Sequence, residues 1–106
     1  MGCDQRGGHP LSQPLNVACR LTPDGFACDV IVGTDAAATR HTVFVSQEAL
    51  AQLAPGHYDP EELVTASFVF LLEREPRESI LRRFELPVIE RYFPGYEAQI
   101  RRQMAR

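Results

Sequence analysis

Two carboxylate pairs, Glu61 with Glu62 and Glu73 with Glu75, are of the type that general acid–base chemistry uses when burial drives two pKa values apart. Glu61 and Glu62 read more simply as first-turn helix residues, and no nucleophile, base and oxyanion donor can be assembled around them. Ser67 lies between Ala66 and Phe68 without a G-x-S-x-G elbow, so it reads as a small residue for close helix packing. Cys3, Cys19 and Cys28 are odd in number and form no C-x-x-C pair, while His9, His41 and His57 lack metal-ligand spacing. Gly7-Gly8 makes no phosphate-binding loop. The expectation is no catalytic residue, no metal and no cofactor, with thiols that stay reduced.

The densest polar cluster runs from Glu73 to Glu85, and within it Arg74, Glu75, Arg77, Arg82 and Arg83 are the candidate interaction surface. Glu78 and Arg82 stand four residues apart, as an ordinary pair on a solvated helix does. Phe84, Tyr92, Phe93 and Tyr96 are spaced as core side chains, with Tyr92 and Tyr96 able to expose their hydroxyls at a pocket rim. A small-ligand site or enzyme would need a pocket between sheet and C-terminal helices in which Tyr92, Arg74 or Glu75 converge.

The elements that would position these groups begin with residues 59–74, DPEELVTASFVFLLER. Asp59 caps this helix, Pro60 suits its first position, Glu62 completes a capping box, and the early carboxylates complement the helix dipole. On a helical wheel only Glu62, Thr65, Val69 and Glu73 form a polar-compatible stripe, so the helix must be covered from more than one side. Burying each large apolar side chain is worth about 1.5–3 kcal/mol. The short chain therefore suggests a second copy as part of the cover.

Upstream, Leu15, Val17, Cys19 and Leu21 alternate with polar or small residues, and Phe26, Cys28, Val30 and Val32 do so again after Pro23-Asp24-Gly25. A two-residue Asp24-Gly25 turn predicts Leu21 opposite Cys28, Cys19 opposite Val30 and Arg20 opposite Asp29. A loop at residues 33–38 leads into a third strand over 39–45, with Val43 and Val45 inward and Thr42 and Phe44 outward. Ser46 caps a short helix, QEALAQLA, which Pro55-Gly56 ends. Pro76 opens another short helix with Ile80, Leu81 and Phe84 inward, and Pro87 opens a further turn. The last helix carries a stripe of Tyr96, Ile100 and Met104, with Arg101, Arg102 and Arg106 near its end. Strands first and helices after define an α+β fold: a three-stranded antiparallel meander, then a C-terminal group of helices around one central buried helix.

The chain has 106 residues, enough for one domain with its own core. Residues 1–13 read as a mobile N-terminal tail and residues 14–106 as the domain. No apolar run approaches the ~18 residues of a membrane span, and no secretory signal is evident, so a cytoplasmic location is expected by default. All basic residues are Arg, a pattern of GC-rich bacterial coding, and the net charge of −3 lacks the basic footprint of a general nucleic-acid binder.

From Arg40 to Arg74 the order strand, short helix, turn, helix resembles the ribbon-helix-helix family of bacterial DNA-binding proteins. That resemblance implies strand pairing between two subunits, with Arg40, Thr42 and Phe44 facing the DNA major groove. Separately, SFVFLLEREPRESILRRFELPVIERYFPGYE, residues 67–97, is similar to a segment of small uncharacterised bacterial proteins, which implies a recurring module and no active-site residue. The leading expectation is a homodimeric interaction or regulatory module without catalytic activity, engaging a protein partner.

Overall fold

Strand alternation organises the first half of the chain in the computed structural model, which describes residues 14–34 and 36–105. The predicted tail, residues 1–13, lies outside them. Strands β1 (Leu15–Thr22), β2 (Gly25–Val32) and β3 (Thr39–Ser46) form an antiparallel meander. A fourth strand, β4 (Arg83–Glu85), joins β3 in parallel, giving a mixed sheet of order β1-β2-β3-β4. Helix α1 (Gln47–Leu53) follows β3 directly, with the Ser46 side chain accepting from the Ala49 amide. Helix α2 (Pro60–Leu72) is capped by Asp59 through the Glu61 amide. Helices α3 (Ile89–Tyr92) and α4 (Tyr96–Met104) close the chain.

One face of the sheet is the core face. Cys28, Val30, Val32, His41, Val43, Val45 and Phe84 are buried there, and α2 packs against β1, β2, α1 and α4. Leu63, Val64, Ser67, Phe68, Phe70, Leu71 and Leu72 of α2 are all buried, whereas Glu62 and Glu73 of the predicted stripe are exposed. The wide apolar arc of α2 is thus covered within a single chain. Phe68 meets His41 and Phe84 on the sheet side, with centroids at 5.3 and 6.2 Å, and Phe70 meets Tyr96 and Phe93 on the helix side at 5.2 and 6.2 Å.

The hairpin forms in a register two residues from the predicted one. Thr22 faces Gly25 across a Pro23-Asp24 turn, Leu21 faces Phe26 and Cys19 faces Cys28. Gly25 serves as a strand end because a Cβ there would run into the Val45 carbonyl and the Ser46 Cα of β3. A two-residue shift preserves side-chain parity, so both apolar faces still coincide. Arg20 and Asp29 move from opposite to diagonal positions yet remain paired at 2.9 Å. The same shift joins Cys19 and Cys28 as a cross-strand disulfide in place of the expected reduced thiols.

Two further expectations change. The short helix predicted after Pro76 is a 3-10 turn, Arg77–Ser79, followed by extended chain into β4. Phe84 alternates with exposed Arg83 and Glu85, a strand pattern too short to stand out, and the Thr42 amide donates to Arg82 O at 2.7 Å. Glu78 accordingly meets Arg77, not Arg82, as an ion pair at 3.5 Å. Glu62 makes no reciprocal capping bond; its carboxylate meets His57 at 3.1 Å, whose other nitrogen donates to Met104 O at 2.6 Å.

β2 pairs with β3 along its length and β4 with its middle, Thr42–Phe44, so that middle stretch is not open to the intersubunit strand pairing that the ribbon-helix-helix resemblance implies. Arg40, Thr42 and Phe44 lie on the sheet face opposite the core, where the Arg83 guanidinium stacks over Phe44 at 4.8 Å. Among the described residues, no helix is long and apolar enough to cross a membrane.

Candidate functional site

Past the end of α2 the chain folds back on itself. Pro76 cannot continue the helix, and the amides of Glu73 and Glu75 close it onto Val69 O and Leu71 O. The 3-10 turn then carries the chain to β4, and Pro87, in a second 3-10 turn over Leu86–Val88, redirects it into α3. This return encloses a cleft of about 350 Å3 between the end of α2, β4 and α3. Leu71, Ile80, Leu81, Phe84, Val88, Ile89 and Phe93 line it, with Glu75, Ser79 and Tyr92 as the polar contributors.

Each apolar wall has a structural cause. Leu71 is on the C-terminal turn of α2, Ile80 and Phe84 are held by extended chain beside β3, and Ile89 is the buried residue of α3. Leu81 is half open to solvent, and its carbonyl accepts from His41 Nδ1 at 2.8 Å. Tyr92 stands at the mouth, 63% exposed.

Glu75 gives the cleft its charge. Burial pushes its carboxyl above the usual carboxylate range. No hydrogen-bonding or ion-pair partner meets the carboxylate among the described residues. A neighbouring groove shares Leu81, Phe84 and Val88 with the cleft and is flanked by Arg83 and Arg91.

The structure divides the predicted interaction surface. Arg74 turns away from the cleft, with its guanidinium 3.6 Å from the Phe70 centroid and bonded to Phe70 O at 2.9 Å. Arg77 is tucked against the β2 end, its side chain 16% exposed and donating to Val32 O at 3.5 Å. Arg82 and Arg83 are exposed on the β4 side. Of the five residues, only Glu75 lines the cleft.

Of the two tyrosines expected at a pocket rim, Tyr92 is there and Tyr96 is not. Tyr96 is fully buried, its hydroxyl 2.7 Å from Ser67 Oγ, which also donates to Leu63 O at 2.8 Å. Burial pushes the Tyr96 hydroxyl far above its ordinary pKa. Nothing in the sequence marks Ser79, Val88 and Ile89 as site residues; the bracketing prolines Pro76 and Pro87 are the available signal.

Ser67 therefore has the packing role expected of it, and it also holds Tyr96. No group of three His, Cys, Asp or Glu side chains placed to hold a metal occurs among the described residues. Comparison with protein-family models, with curated proteins and with solved structures found no match.

Proposed function

We propose that this protein is a non-catalytic binding module whose recognition site is the cleft between α2, β4 and α3. One observation carries the reading: seven apolar side chains from four successive segments line a recess of about 350 Å3 beside few polar groups. That volume falls at the low end of the range for small-molecule sites, and apolar walls with sparse polar groups are their usual composition. The occupant is a small molecule whose apolar body displaces water from Leu71, Ile80, Phe84 and Ile89. An amide NMR titration of the full chain with hexanol tests this. Shifts confined to the cleft lining, lost in Val88→Trp, which fills the recess, are expected; the absence of any shift at the lining at high hexanol concentration sinks the reading.

A second reading keeps the homodimeric interaction module expected from the sequence but moves its interface. The apolar arc of α2 no longer calls for a partner copy. Among the described residues no strand pairs with the outer edge of β1, which does favour one, since Leu21 at its end is 72% exposed. Against it, the Glu61 carboxylate accepts from the outward Cys19 amide at 3.4 Å and so occupies part of that edge.

A further inference from the structure

We propose that the cleft selects amphiphilic cations, small molecules that join an apolar body to a protonated amine, with the amine meeting the Glu75 carboxylate. The inference rests on the cleft being a binding site and adds the charge of its ligand. Among the described residues of the lining, Glu75 is the only carboxylate and none is a basic side chain. The arginines nearest to it in sequence are committed elsewhere, Arg74 to Phe70 O and the Phe70 ring, and Arg77 to Val32 O and Glu78.

The Glu75 carboxylate is partly shielded from water and meets no counter-charge among the described residues, so an ammonium group brought by a ligand would be its ion-pair partner. Burial raises the Glu75 pKa with no opposing influence from a cation, as an unmatched charge should behave. Tyr92 also lines the cleft, and its exposed ring has the kind of π face that attracts an ammonium group. A ligand bearing a carboxylate would instead meet a like charge. The volume of about 350 Å3 admits an apolar body of one ring or a short alkyl chain with room to spare, since a cavity of about 150 Å3 already holds benzene.

The test compares hexylamine, hexanol and hexanoate, which share one apolar body and differ in head group, by amide NMR titration of the full chain. The amine is expected to bind about tenfold more tightly than the alcohol, the factor that one charge-assisted hydrogen bond supplies, and hexanoate to bind most weakly. In Glu75→Gln, a near-isosteric neutral variant whose fold is checked by circular dichroism, hexylamine affinity falls to within about twofold of that for hexanol. Glu48→Gln on α1, away from the cleft, keeps the full preference. Equal binding of amine and alcohol to the unaltered protein overturns the cation inference while leaving the cleft reading standing. Tighter binding of hexanoate overturns the inference as well, and failure of all three to shift the lining overturns both.

Discussion

His41 shows how a single side chain ties the site to the sheet. Its Nδ1 faces Leu81 O at 2.8 Å, and a carbonyl only accepts, so Nδ1 carries the proton and Nε2 takes a hydrogen bond from the Thr39 hydroxyl at 2.8 Å. The ring is 2% exposed and packs on Phe68. Burial is the main cause that lowers the His41 pKa below 6.5; the bond to Leu81 opposes it, and the charge of Arg82 adds to it. The unfolded chain thus binds the proton more tightly than the folded one. Stability is complete above about pH 6.5 and is lost as pH falls through the lowered folded value. Thermal unfolding followed from pH 7.5 to 5 is expected to show a falling melting temperature. In His41→Asn, whose amide can stand in for Nδ1, the slope should be shallower. Glu75 acts in the opposite sense, since its raised folded pKa gives stability at acid pH that is lost as pH rises through that value. The His41 effect is therefore read as the difference in slope between the two proteins, and parallel profiles would refute it. His41 was within reach of the sequence, because it shares the inward parity of Val43 and Val45. Its partner Leu81 lies 40 residues away, however, and no local pattern announces that bond.

At the scale of elements, α2 and α4 are locked by the Ser67–Tyr96 contact. Ser67 donates to Leu63 O, so the Tyr96 hydroxyl is the donor to Ser67 Oγ. Ser67→Ala strands that buried hydroxyl and should cost about 1–3 kcal/mol in chemical denaturation, whereas Tyr96→Phe leaves Ser67 bonded to its own helix and should cost about 1 kcal/mol. In the double variant no donor is stranded, so its loss should be smaller than the sum of the two single losses. Additive losses would show that the bond does not join the helices. The long periodic elements were legible: the capped α2 with its apolar arc, the capped α1, the stripe of α4 and the existence of the hairpin all follow from patterns within one element. What escaped were features set by distant backbone. The turn residues admit either Asp24-Gly25 or Pro23-Asp24, and the approach of β3 to Gly25 decides between them. β4 is three residues long and exists because β3 offers an edge to it. The cleft was legible only as a place between sheet and C-terminal helices, and of the three polar residues named for it Glu75 and Tyr92 line the recess while Arg74 does not. The chain's return after Pro76, which builds its walls, depends on β4.

For the whole molecule the deciding quantity is the number of chains. A helix as apolar as α2 needs cover on opposite sides, and a chain of this length looked short of it. The parallel strand β4 brings Phe84 beneath Phe68, while α4 brings Tyr96 against Phe70 from the other side. Both layers come from one chain, so the apolar area of α2 contributes to folding and is not left as a driving force for association. Light scattering on the purified protein is accordingly expected to give a mass near 11.9 kDa, unchanged by dilution. A mass twice as large would point to a surface other than α2, and the edge of β1 is the surface it would implicate. Leu21→Glu then separates the cases: it leaves a single chain unchanged, because Leu21 is largely solvated, but it returns a β1-joined dimer to monomers by placing an unpaired charge in the interface. A dimer that survives Leu21→Glu would refute the β1 interface as well.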